Sequence, residues 1–117
     1  MKFVTILTTM LMMTAASLCS LAAGELPPAE QGSFSIAVIP DTQQFQGRGT
    51  NRKSHADRPT SNPVFTAITD CIIDELDRQK IVFVSHVGDI VDINNDEQWK
   101  VAQQCMNRLH GKVPYGI

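Results

Sequence analysis

Two apolar runs constrain this chain most, Phe34-Ser35-Ile36-Ala37-Val38-Ile39-Pro40 and Ile81-Val82-Phe83-Val84-Ser85-His86-Val87. Neither alternates apolar with polar residues as a strand with one wetted face does, so both read as central strands of a parallel sheet, covered on both faces. Each run also ends in acid: Asp41 follows the first, and Gly88-Asp89-Ile90-Val91-Asp92 follows the second. In a parallel sheet the carboxyl ends of neighbouring strands open onto one crevice, where such folds hold ligands and metals.

Helical patterns fill the gaps between the strands. Asn62-Pro63 is a helix start, with an amide at the cap and proline at the first helical position. Phe65, Ile68, Ile72 and Leu76 then recur at helical spacing, which predicts a helix from Pro63 to about Gln79. A second helix is expected after Asn94, Asn95 or Asp96, with Trp99, Ala102, Cys105 or Met106, and Leu109 on its core face and Gly111 ending it. Val113 to Tyr115 begins a third strand. The order β-α-β-α-β implies an α/β fold of parallel strands, right-handed crossovers and helices on the sheet faces.

Between the first strand and the first helix lies a long polar stretch from Gln43 to Ser61. A loop of that length inside a compact domain is usually functional or disordered. Leaving the carboxyl end of the first strand, it is expected to overhang the crevice. His55 with Arg48, Arg52, Lys53 and Arg58 makes this a cationic loop able to attract a phosphate group, although scattered charge on a solvated loop is the plainer reading.

The amino terminus reads as a secretory leader: Lys2, an apolar stretch from Phe3 to Leu18, and small residues from Ser20 to Gly24, with cleavage after Ala22 or Ala23. The stretch falls short of the ~20 residues that span a bilayer. Residues 1–23 are thus expected to be a signal peptide, 24–33 a flexible lead-in and 34–117 the folded part, which implies a secreted or periplasmic protein with no stable membrane anchor. A formal net charge of −2 gives no case for a general nucleic-acid or membrane-surface binder. Beyond the leader only Cys71 and Cys105 remain, and they read as small buried hydrophobes rather than a disulfide framework.

The chemistry is expected at the strand ends. Pro40 makes a rigid exit that aims the Asp41 carboxylate along the strand axis, and Gln43 offers a neutral oxygen two residues on. A turn carboxylate accepting backbone N–H groups is the simpler role for Asp41. Gly88 lets the backbone turn tightly at Asp89, whose two oxygens suffice to bridge a pair of divalent cations. Asp92 lies one turn further, placed either to brace another ligand or to serve as a plain helix-start or loop carboxylate. His86, within the second strand, reads as a buried histidine satisfied by a neighbour.

Together, Ile39-Pro40-Asp41-Thr42-Gln43, Val84 to Asp92, and the run from Gln98-Trp99 to Tyr115-Gly116-Ile117 resemble the calcineurin-like metallophosphoesterase family. The resemblance implies the β-α-β-α-β opening of a layered α/β sandwich that stops just before the family's Gly-Asn-His-Asp/Glu motif, so that the chain is expected to be an N-terminal fragment. It implies two divalent metal ions, among Mn, Zn, Fe, Mg and Ca, with Asp41 a ligand of the first and Asp89 bridging both. Gln43 stands where many members have histidine. Asp92 would orient the family's catalytic histidine, which has no counterpart here. The implied activity is hydrolysis of phosphate esters by a metal-activated water, with the 117 residues alone inactive for want of ligands. A non-catalytic exported binding domain on the same scaffold is the alternative. An aspartate phosphotransfer domain is a third, which the export signal argues against.

Overall fold

Asn62 starts the first helix as its sequence requires. Its Oδ1 accepts from the Phe65 N–H at 2.9 Å while Pro63 fills the first turn. In this computed structural model, which describes residues 26–52 and 55–117, the element order is β1 (Ser35–Ile39), α1 (Pro63–Glu75), β2 (Ile81–His86), α2 (Asp96–Asn107) and β3 (Tyr115–Gly116). The expected signal peptide, Cys19, the first two residues of the lead-in, and Lys53 lie outside the described residues. No helix among the described residues is long and apolar enough to cross a membrane.

The three strands form one parallel sheet in the order β1-β2-β3, giving a small mixed α/β architecture. α1 proper stops at Glu75, and turns carry the chain on to Lys80. There Lys80 takes a positive φ of 49°, and the N–H groups of Lys80 and Ile81 return to the carbonyls of Asp77 and Leu76, a left-handed helix cap. The expected end near Gln79 is thus the end of the turns. α2 begins one residue after its cap, Asn95, whose Oδ1 accepts from the Gln98 N–H at 2.9 Å. Gly111, at φ 72°, turns the chain toward β3, which is shorter and later than expected.

Coverage of the sheet departs from expectation. Paired residues of a parallel ladder share a face. Ala37 with Val84 and Ile39 with His86 therefore point one way, toward a core that includes Phe65, Ile72, Ala102, Cys105, Met106 and Leu109. Ile36 with Phe83 and Val38 with Ser85 point the other way, and Ile36 and Val38 remain 55% and 59% exposed. Both helices thus lie on one face, where Arg108, the C-cap of α2, pairs with Asp70 of α1 and Thr66 meets Cys105 at 3.6 Å. Two right-handed crossovers that step in the same direction along a sheet must put their helices on the same side. β1 is consequently an edge strand with one bare face, not a central strand covered twice.

Two side chains move out of the expected core. Trp99 is 44% exposed, its indole N–H donating to Asn94 Oδ1 at 2.7 Å, while Gln98 beside it is fully buried. Cys71 is exposed and Cys105 buried, and both are free thiols. Burial pushes the Cys105 thiol pKa above its ordinary value. Residues 26–33 run beside the turn between α1 and β2, where Gln79 Nε2 donates to the Pro27 carbonyl and Lys80 Nζ to that of Glu30.

Candidate metal centre

The two acidic loops leave the sheet side by side. Ile39 pairs with His86 at the carboxyl ends of β1 and β2, and Val87 N–H closes the ladder on the Ile39 carbonyl at 3.1 Å. Asp41 and Gly88 each follow two residues later. Gly88 takes φ 103° and Asp89 φ 51°, so the β2 loop turns through two left-handed residues in succession. Glycine adopts that region without penalty, and aspartate is one of the few other residues that tolerates it.

Thr42 joins the loops. Its N–H donates to the Asp89 carbonyl at 3.2 Å, and its side chain, in a residue only 1% exposed, lies 3.0 Å from both His86 Nε2 and the Ile90 carbonyl. The hydrogen-bond directions fix the histidine tautomer. Gly88 N–H donates to His86 Nδ1 at 3.2 Å, so Nδ1 is the acceptor and Nε2 carries the proton. Nε2–H then donates to the Thr42 hydroxyl, which donates in turn to Ile90. The imidazole also packs edge-on against Phe65, with ring centroids 5.4 Å apart. Burial lowers the His86 pKa from its ordinary value, and the nearby charge of Asp41 works in the opposite direction. His86 is therefore the neighbour-satisfied histidine that its place in a strand implied.

Asp41 and Asp89 are both exposed. One Asp41 oxygen accepts from the Gln43 N–H at 2.8 Å, the turn role foreseen for it, and the other has no hydrogen-bond partner among the described residues. Gln43 is half-buried, and its side-chain amide makes no hydrogen bond among the described residues. Asp92 is held differently. Its carboxylate accepts from Asn51 Nδ2 at 3.0 Å and Asn51 N at 3.4 Å, and its own N–H donates to Gln98 Oε1 at 2.8 Å.

The long loop is built in. Gln46 and Ser61 form an antiparallel bridge, Arg48 N–H donates to the Arg58 carbonyl at 2.9 Å, and Phe45 is fully buried in the core. The Gly49 carbonyl accepts from Asn95 Nδ2 and Gln98 Nε2 at the start of α2. The burial of Phe45 and of Gln98 was not expected from the sequence, yet both left a signal. Phe45 is a lone aromatic in a polar stretch, and Asn95-x-x-Gln98 has the spacing of a capping box. Gln98 departs from that box by reaching past the cap to the N–H groups of Asp92 and Ile93.

The donor set is hard: two exposed carboxylates and one amide oxygen, the chemistry of Mg, Ca and Mn sites. Among the described residues, no three His, Cys, Asp or Glu side chains gather into a metal-holding group. Donor type therefore fits divalent ions, while donor number falls short of what two ions need. Compared with known proteins, the chain matches no family model, no curated protein and no solved structure.

Proposed function

We propose that the crevice at the carboxyl ends of β1 and β2 supplies part of a dinuclear metal centre, and that the protein is an exported metal-dependent phosphoesterase of the calcineurin-like kind. The observation that carries this reading is the hydrogen bond from Thr42 N–H to the Asp89 carbonyl, which locks two carboxylate-bearing loops together at adjacent parallel strand ends. Asp41 and Gln43 would hold one ion, and Asp89, with two oxygens, would reach both. Ions held there supply a nucleophile at neutral pH and neutralise charge on a phosphoryl group. Thr42 and His86 keep the two loops in register, and Asn51 fixes the carboxylate of Asp92, whose role is to orient a catalytic histidine. Two carboxylates and one amide are too few for two ions, so a complete centre would need further donors. The bare apolar face of the sheet is a surface on which a further layer of the sandwich would pack.

Mn²⁺ binding to the full chain, followed by electron paramagnetic resonance and calorimetry, tests the reading. Asp89→Asn is the discriminating variant, because asparagine accepts the left-handed backbone while losing the charge. Binding by the wild type that is lost in Asp89→Asn and weakened in Asp41→Asn is expected, with negligible turnover of an aryl phosphate by the 117 residues alone. Equal Mn²⁺ affinity in all three proteins overturns the assignment. No binding by a well-folded wild type favours a non-catalytic binding domain on the same scaffold.

A further inference from the structure

We infer that Arg52 is the anion-recognising residue of this crevice, taking the phosphoryl oxygens of a phosphate monoester on its guanidinium. The identity of the ligand rests on the phosphoesterase reading; the choice of residue rests on the geometry of the loop.

The loop is closed at its neck by Gln46 and Ser61 and moored to α2 through Gly49, and its next residues reach back to the acidic loops. Asn51 donates to the Asp92 carboxylate on the β2 side, and Arg52 Nη2 donates to Gln44 Oε1 at 3.1 Å on the β1 side. Gln44 follows directly on Asp41-Thr42-Gln43. Consecutive loop residues are thus tied one to each acidic loop. The other arginines are placed differently. Arg48 and Arg58 face each other across the neck, and Arg48 lines a separate cavity with Pro59, Thr60, Glu97, Lys100 and Gln104.

The partner of Arg52 is what leaves it available. Gln44 Oε1 is a neutral acceptor, and among the described residues no carboxylate pairs with Arg52. A guanidinium held by an acid has its charge compensated; one held by an amide is fixed in place with its charge uncompensated. One of its five N–H groups is engaged here, and the planar fork matches two oxygens of a phosphate. Arg52 and Gln44 are both exposed, so a ligand has access.

Calorimetric titration of inorganic phosphate into the full chain, with and without Mn²⁺, tests this in the wild type, Arg52→Gln, Arg52→Lys and Gln44→Glu. Arg52→Gln should weaken phosphate binding about tenfold or more, the scale of losing a charge-assisted hydrogen bond. Arg52→Lys should recover part of it, since charge returns without the fork. Gln44→Glu should weaken it as well although Arg52 is intact, because the new carboxylate compensates the arginine's charge and repels the anion. Wild-type affinity in both Arg52→Gln and Gln44→Glu overturns the inference, as does a wild type that binds no phosphate in either condition. Arg52-dependent phosphate binding in a protein that takes up no Mn²⁺ upholds Arg52 and sinks the metal reading. Mn²⁺ uptake through Asp89 with phosphate binding indifferent to Arg52 does the reverse.

Discussion

The hydroxyl of Thr42 stands 3.0 Å from Nε2 of His86, and through that contact the exit of β1 is fastened to the end of β2. The two residues are 44 positions apart, and each is satisfied on its other side as well: His86 Nδ1 by Gly88 N–H, and the Thr42 hydroxyl by the Ile90 carbonyl. A donor chain runs from imidazole to hydroxyl to backbone with no buried polar side-chain atom left over among the described residues. Such a network is stabilising only while it is complete.

Thr42→Val tests that completeness. Valine keeps the shape and the backbone hydrogen bonds but strands the Nε2–H of a histidine that is 2% exposed. The expected loss is about 1–3 kcal/mol in urea unfolding, the cost of an unsatisfied buried donor. Thr42→Ser keeps the hydroxyl and should lose less than half as much. Equal losses in the two variants would show that the methyl group, not the hydrogen bond, is what the site needs.

Acid should act on the same network. Burial holds the His86 pKa below its ordinary value against the pull of Asp41, so the unfolded chain binds a proton more readily than the folded one. Stability then rises with pH across the gap between the two values. The contribution is fully present above the unfolded value of about 6.5 and is lost as pH falls through the lowered folded value. Asp41→Asn removes the opposing charge, so the folded pKa should drop further and the loss extend to lower pH. An NMR titration of the His86 ring in both proteins reads this, and an upward movement in Asp41→Asn would refute it.

What the sequence disclosed and what it hid divide along the range of the interaction. The Asn62-Pro63 helix start, the Asn95 cap and the left-handed turn at Gly88 are local, and their residue types announce them. Element order followed from apolar runs and helical spacing. One-sided coverage of the sheet did not, because it depends on the direction in which the crossovers step, which no single segment records. Burial of Gln98 rather than Trp99 was hidden for a similar reason. Gln98 is buried because the Gly49 carbonyl, 49 residues away, and the Asp92 and Ile93 N–H groups all turn toward it. At the candidate site the sequence picked out Asp41, Gln43, Asp89 and Asp92 as acids and amide at strand ends, whereas Thr42 and Asn51 carry no mark until the loops meet.

The neck of the long loop should be a sensitive backbone position. Gly47 has φ 97°, and a Cβ there would lie 2.3 Å from the Pro59 carbonyl oxygen, a backbone atom with no rotamer to change. Gly47→Ala must therefore open the Arg48–Arg58 pairing, at a cost of about 2 kcal/mol or more. Gly88→Ala, at φ 103° with nothing within 4 Å of the added carbon, bears conformational strain alone, about 1 kcal/mol. Limited trypsin digestion at the loop arginines should quicken in Gly47→Ala and stay unchanged in Gly88→Ala. Equal cleavage would mean that the neck is not what holds the loop.

The bare face of the sheet makes the last prediction. Ile36 and Val38 stand on the uncovered side of an edge strand, and Val38 continues into an apolar groove with Pro63, Val64, Ala67, Ile68 and Cys71 of α1. An exposed apolar face next to an unpaired strand edge is a template for association. Threonine at both positions keeps the branched side chain that strands favour and puts a hydroxyl in place of the ethyl group of Ile36 and of one methyl of Val38. Because neither side chain belongs to the buried core, Ile36→Thr/Val38→Thr should leave the unfolding midpoint nearly unchanged. The fluorescence of an apolar dye should fall, and concentration-dependent association in sedimentation should weaken. A midpoint that drops along with the dye signal would show instead that these side chains are already covered in solution.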